Sequence, residues 1–201
     1  LALANPWAEI VAIDLSARSL KLLAWHARMR GVGNRVFCVQ GDFQEIPESL
    51  GLFDFVIATG VIHHLPDPEA GLRALVARSR ERAVFRFMIY SHWGRALLYA
   101  AKECAAELGI QKPSEFRRFI HSLPADHPYK IYFYLYSDAR TDSGLADGFL
   151  HPCDHGFRAG ELGRMIARCG LTASVFLHSP EGQPEAMDSF VRMPKDRGDW
   201  D

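Results

Sequence analysis

The 201 residues are 48% hydrophobic and 23% charged, a composition that supports one sizeable core and excludes a disordered or fibrous chain. The formal net charge of -1, with arginines dispersed among acids as in Arg78-Ser-Arg80-Glu-Arg82, gives no field that would draw the protein to nucleic acid or an anionic membrane. No apolar stretch approaches the roughly 20 residues that span a bilayer; Cys38, Cys104, Cys153 and Cys169 form no Cys-x-x-Cys pair, which reads as a cytoplasmic protein using reduced cysteine as a small core residue.

Leu1-Ala-Leu-Ala4, closed by Asn5-Pro6, reads as the last turn of a helix. A strand ending at Asp14 follows. Ser16 then caps a helix with Leu20, Leu23, Ala24 and Ala27 at the spacing of one buried face, ended by Gly31. Strand Val36 to Val39 comes next, then a loop around Pro47, then strand Phe53 to Ala58, dense enough in Val and Ile for burial on both faces. Leu65-Pro-Asp-Pro68 starts a second helix, with Asp67 as N-cap, Pro68 at the first position and Leu72, Leu75 and Val76 facing inward. Ala83 to Tyr90 is the fourth strand. This order predicts parallel strands joined by helical crossovers.

From Ser91 the rhythm changes. Helical runs are predicted over Ala96 to Leu108 and Ser114 to Leu123, with proline-bounded breaks at Pro124 and Pro128. Lys130 to Tyr136 alternates Tyr132, Tyr134 and Tyr136 with apolar residues, and periodicity leaves a strand and a buried helix both open. A helix from Arg158 to Cys169, with Leu162, Met165 and Ile166 on one face and Gly170 at its end, feeds a strand from Thr172 to His178. The end from Pro194 reads as polar and frayed.

Three apolar runs in the first third end on polar residues: Glu9 to Asp14, Val36 to Gly41-Asp42, and Phe53 to Thr59-Gly60, which continues into His63-His64-Leu65-Pro66-Asp67-Pro68. Ligands sit at the carboxyl ends of strands in open parallel sheets, so these positions suggest a nucleoside-bearing cofactor. This arrangement resembles the class I S-adenosylmethionine-dependent methyltransferases over about residues 1 to 91, and again weakly over 158 to 191. The middle segment, with Asp147-Gly-Phe-Leu-His151-Pro-Cys-Asp154, is more loosely similar to the C-terminal half of bacterial methyltransferases found beside tetratricopeptide repeats.

The resemblance implies a Rossmann-like α/β three-layer sandwich in a single domain. Its twisted sheet would be mostly parallel with an antiparallel last strand, and a mainly helical insertion would occupy about 92 to 150. It implies S-adenosyl-L-methionine as cofactor: Asp14 accepting from both ribose hydroxyls, Leu15 against the adenine, Asp42 beside the adenine amino group, Phe43 at the base through its amide and ring, and Thr59 and Gly60 toward the methionine part. His63 and His64 would open the loop on the acceptor side. One of them shapes the loop, and the other could take a proton from an oxygen or nitrogen acceptor. Tyr90, Trp93 and His151 are candidate acceptor walls. His151-Pro-Cys-Asp-His155 also suggests zinc, but structural zinc needs about four convergent ligands and no partner pair is visible, so no metal is expected. The family's first strand and its Gly-rich turn have no counterpart in these residues, so the chain reads as a fragment starting within the first helix. Rival readings are a non-catalytic scaffold with the same fold and, less favoured, a nicotinamide-dependent oxidoreductase.

Overall fold

The computed structural model describes residues 1–178 and 186–192, with side chains described except at 137–138 and from 173 on. The expected frayed end from Pro194 lies outside the described residues. Two compact units partition the chain: Leu1–Phe53 with Ala70–Ser79, and Asp54–Glu69 with the residues from Arg80 on.

In the first unit, β1 (Ile10–Asp14), α1 (Ala17–Met29) and β2 (Val36–Gln40) form a β-α-β motif. The strands pair in parallel, with Ile10 opposite Val36 and Asp14 opposite Gln40, and α1 packs against them. Ser16 caps the helix by accepting the Ser19 amide at 3.2 Å. At the other end Gly31, at φ +70°, reverses the chain. The Gly31 amide then reaches the Arg28 carbonyl at 3.0 Å and the Val32 amide the Ala27 carbonyl at 3.0 Å, a paired closure that needs a left-handed residue after the cap.

Only Leu20 and Ala27 of the predicted α1 face are fully buried; Ala24 is half-buried and Leu23 exposed. The helix lies on a two-stranded sheet, and strands less than 5 Å apart make too narrow a floor to cover a second row of side chains. Arginines organise the loops of this unit. Arg35 donates to the carbonyls of Ala2, Asn5 and Ala8, and Arg78 to those of Pro47, Glu48 and Gly51.

The second unit holds a four-stranded sheet in the order β3 (Phe53–Thr59), β4 (Ser79–Tyr90), β6 (Ala186–Arg192), β5 (Thr172–His178). β6 is antiparallel to both neighbours, so β4 and β5 run the same way and the last strand alone opposes them, as the resemblance implied. Two expectations need correction. β3 buries Val56 and Ala58 but leaves Phe55 and Ile57 each 42% exposed, because it is the edge strand of its sheet and only one of its faces is covered. β4 starts four residues earlier than the apolar run suggested: its charged beginning, Arg80-Glu-Arg82, lies on the exposed part of the strand, where Arg80 pairs with Asp54 at 3.1 Å.

α2 (Pro68–Ala77) precedes β4, and between β4 and β5 the chain is helical, with α3 (Ala96–Glu107), α4 (Pro113–Ser122), α5 (Pro128–Leu135), α6 (Asp142–Gly148) and α7 (Ala159–Arg168). The ambiguous tyrosine segment is helix α5, capped by the His127 ring on the Tyr129 amide at 3.2 Å. Its burial has helical period: Tyr132, Phe133 and Tyr136 are inside and Tyr134 is outside. These rings join Phe116, Ile120, Leu145 and Phe149 in one core, which fixes the helical segment as a packed body. α6, capped by Thr141, was not foreseen, since its short Asp-Ser-Gly-Leu-Ala-Asp-Gly run reads locally as a loop. Among the described residues no helix is long and apolar enough to cross a membrane, and all four cysteines are free thiols.

Candidate active site

In the first unit the parallel register places the ends of β1 and β2 side by side. The Gly41 amide donates to the Asp14 carbonyl at 3.2 Å, and the Gln40 side chain donates to the Leu15 carbonyl at 3.2 Å. Asp14 and Asp42, 28 residues apart in sequence (42 − 14), therefore stand at one edge. Asp14 Oδ1 accepts the Ser16 amide at 2.7 Å, and Oδ2 is left without a protein partner among the described residues. The carboxylate is thus held by one oxygen and presents the other, an arrangement suited to hydroxyl donors. Asp42 accepts the Gln44 amide at 2.8 Å and caps the short turn Phe43–Glu45, with Phe43 half-buried. Leu15 is 71% exposed, an apolar surface beside the two acids.

In the second unit β3 ends at exposed Thr59, and Gly60, at φ +70°, bends the chain while its amide donates to Met88 on β4 at 3.1 Å. A β-branched or bulky residue is strained in that conformation. The bend delivers Ile62–His64 as a single helical turn against the end of β4. The His63 ring lies 3.8 Å from Tyr90, centroid to centroid, and 4.2 Å from His64; His64 lies 4.1 Å from His151. His63, His64, Tyr90 and His151 are thus brought together. Trp93 is not: it is 70% exposed, with its ring against His92 and Arg158.

The two histidines differ. His63 is fully buried, and neither ring nitrogen has a hydrogen-bond partner. Burial, reinforced by His64, Arg95 and His151, pushes its pKa down to about 2, so the ring is neutral and serves as packing. His64 is half-buried, and burial also lowers its pKa, against the opposing pull of the Cys153 carbonyl. Its Nδ1 lies 2.9 Å from that carbonyl oxygen. A carbonyl only accepts, so Nδ1 carries the proton, and the buried Nε2, which has no hydrogen-bond partner among the described residues, keeps its lone pair. His64 is thus neutral and oriented, with its lone pair at the buried Nε2.

Sequence reasoning missed the polar cluster behind this loop. Asp154, its side chain 1% exposed, is met at 3.4 Å by Arg95, Lys102 and Tyr99. Arg95 is itself buried; it donates to the Gly148 carbonyl and places its guanidinium 3.6 Å from the Tyr90 ring centroid, within cation-π range. Lys102 also donates to the His151 carbonyl at 3.0 Å. The only sequence signal was the His151 to His155 motif. The structure uses it as a clamp: Asp154 is enclosed by these donors, His151 turns to His64, and His155 pairs with Glu161 at 2.8 Å. No group of three or more metal-ligating side chains converges among the described residues. A groove of about 680 Å³ in the helical segment, lined by Glu103, Glu107, Leu108, Phe119 and His127 among others, contains none of the predicted site residues.

Comparison with known proteins places this geometry. Residues 1–84 match the family model of a methyltransferase domain. The chain is 29% identical over 208 residues to an uncharacterized protein of Synechococcus, covering 98% of the chain and 49% of that protein. Among solved structures it is similar to PKMT2 from Rickettsia typhi in complex with AdoHcy, with TM-score 0.69 and 14% identity over 94% of the chain and 45% of that protein. It is also similar to the magnesium protoporphyrin IX methyltransferase of Synechocystis with bound SAH, with TM-score 0.58 and 12% identity over 96% of the chain and 67% of that enzyme. The chain spans about half the length of the curated relative it matches. Residues 1–84 thus match a methyltransferase domain, and the chain shares its fold with solved methyltransferase structures.

Proposed function

We propose that this chain transfers a methyl group from S-adenosylmethionine to an oxygen or nitrogen nucleophile on a small molecule or protein. The observation that carries the reading is the free Asp14 Oδ2 at the strand end beside Asp42, within the stretch that matches the methyltransferase domain. A nucleoside fits what these residues offer: a carboxylate oxygen for ribose hydroxyls, the exposed Leu15 for the base, and the Asp42-Phe43 turn for the base edge. Thr59 and Gly60 are assigned to the methionine part. The bound cofactor supplies a methyl already activated on a sulfonium, so the protein's work is alignment and exclusion of water.

His64 is the group we assign to the acceptor's proton. Its Nε2 is unprotonated though buried and its pKa is lowered, so it takes up a proton at neutral pH where the acceptor seats against the ring. Tyr90 and His151 form the wall around it, Trp93 is an outer surface for a larger acceptor, and the helical stretch at about 92 to 150 is the appended element that sets acceptor specificity. His63 is assigned to packing. A cytoplasmic, bacterial-type setting fits the four free cysteines. The test is transfer of label from methyl-labelled S-adenosylmethionine to fractions of a cell extract. A labelled acceptor whose formation needs His64 is the expected result; cofactor binding without labelling of any fraction would favour a scaffold role.

A further inference from the structure

We propose that Asp154 is a positioning residue for His64: it pins the 151–155 loop so that the Cys153 carbonyl holds the His64 ring with Nδ1 protonated and Nε2 bare. The proposal rests on the methyl-transfer reading for its purpose, but on local geometry for its content. Asp154 is the enclosed centre of three donors, Arg95, Lys102 and Tyr99. Two of them also hold backbone carbonyls on the approach to the loop, Arg95 at Gly148 and Lys102 at His151. The loop is tied in turn to the histidine turn at three points. Cys153 O accepts from His64 Nδ1 at 2.9 Å, Cys153 Sγ donates to the Leu65 carbonyl at 3.3 Å, and the His155 amide donates to the His63 carbonyl at 2.8 Å. One buried carboxylate thus fixes the acceptor oxygen that decides the His64 tautomer.

The indirect route has a chemical consequence. A carboxylate bonded directly to an imidazole both orients it and favours the imidazolium. Here the carboxylate is compensated by Arg95 and Lys102, and His64 meets only a neutral peptide carbonyl, so it is oriented without being charged. Besides the Cys153 carbonyl, the groups that act on His64 electrostatically are His151, which disfavours its cation, and Asp147 and Asp154, which favour it more weakly than burial opposes it.

The test is ¹⁵N-edited NMR of the histidine rings in the full chain, with titration of S-adenosylhomocysteine run in parallel. In the unmodified protein His64 is expected as the Nδ1–H tautomer between pH 6 and 8. In Asp154→Asn the His64 signals should move toward a mixed tautomer, and turnover should fall on the order of 10-fold or more, part of what a positioned base contributes. Cofactor affinity should change by less than about 2-fold, since Asp154 is not assigned to the cofactor. Should Asp154→Asn not fold, Lys102→Met removes one of the three donors and should give a partial shift in the same direction. An Nε2–H tautomer in the unmodified protein, or an unshifted His64 in either folded variant, overturns the proposal. A locked His64 in a protein that does not bind S-adenosylhomocysteine would uphold the Asp154 role and overturn the methyl-transfer reading, so the two are separable.

Discussion

His64 and Cys153 lie 89 residues apart in sequence and are joined by a 2.9 Å hydrogen bond from the imidazole Nδ1 to the peptide carbonyl. That bond links the turn after β3 to the loop after the helical segment. It gives the two histidines of the His63-His64 pair different states. His64 is oriented through Nδ1, whereas His63, one residue earlier, is packed against Tyr90 and has no hydrogen-bond partner at either nitrogen among the described residues.

The sealed histidine makes the fold sensitive to acid. His63 has an ordinary pKa of 6.5 when unfolded and about 2 when folded, so below pH 6.5 the unfolded chain binds the proton that the folded chain refuses. Stability is fully present above about pH 6.5 and falls as the pH drops toward 2, by about 1.4 kcal/mol per pH unit from this group. His63→Phe keeps the ring and removes the titration. Urea denaturation at pH 7.5 and 5.0 should show the variant losing about 2 kcal/mol less than the parent over that interval. Equal losses would mean that His63 is not buried neutral.

Removing Asp154 should be costly in another way. Asp154→Ala removes the enclosed carboxylate that Arg95 and Lys102 share, and deleting one partner of a buried ion pair costs about 3–5 kcal/mol. Chemical denaturation checks the magnitude. A loss below about 1 kcal/mol, the worth of a surface pair, would contradict the enclosed geometry.

Gly156 stands where two backbones close on each other: a Cβ there would come within 2.6 Å of the Tyr99 hydroxyl and 2.9 Å of the His92 Cα. Gly156→Ala should therefore push Tyr99 off Asp154 and destabilise by about 1–3 kcal/mol, the usual cost of overpacking. A thermal melt superimposable on the parent's would contradict the crowding.

How much of this was legible in the sequence depends on the range of the interaction. The strand ends at Asp14 and Thr59 and the helix capped by Ser16 rest on local patterns, and they are found where those patterns put them. The face of α1 was read too wide because periodicity shows which residues align but not how broad a surface they meet. β3 was read as buried on both faces because Val and Ile density cannot tell an edge strand from a central one. The Tyr132 to Tyr136 segment was undecidable because its alternation satisfies both periods, and only packing against Phe116 and Phe149 selects the helix. Arg95 and Lys102 drew no reading from the sequence and Asp154 only as part of a motif, since nothing local distinguishes a charge on an exposed helix from one whose partner lies 52 or 59 residues away. The same long-range link separates the roles of His63 and His64, which adjacency in sequence left open.

The strand-end carboxylate of the first unit, Asp14, is the group we assign to the ribose of S-adenosylmethionine. Calorimetric titration of S-adenosylhomocysteine into the protein and into Asp14→Ala tests it most directly. Saturable one-site binding is expected, weakened in the variant by about 1.5–3 kcal/mol, the worth of hydrogen bonds to a charged group, with the Asp14→Ala melting transition close to the parent's. No saturable binding to the parent protein, or equal affinity in Asp14→Ala, would contradict it.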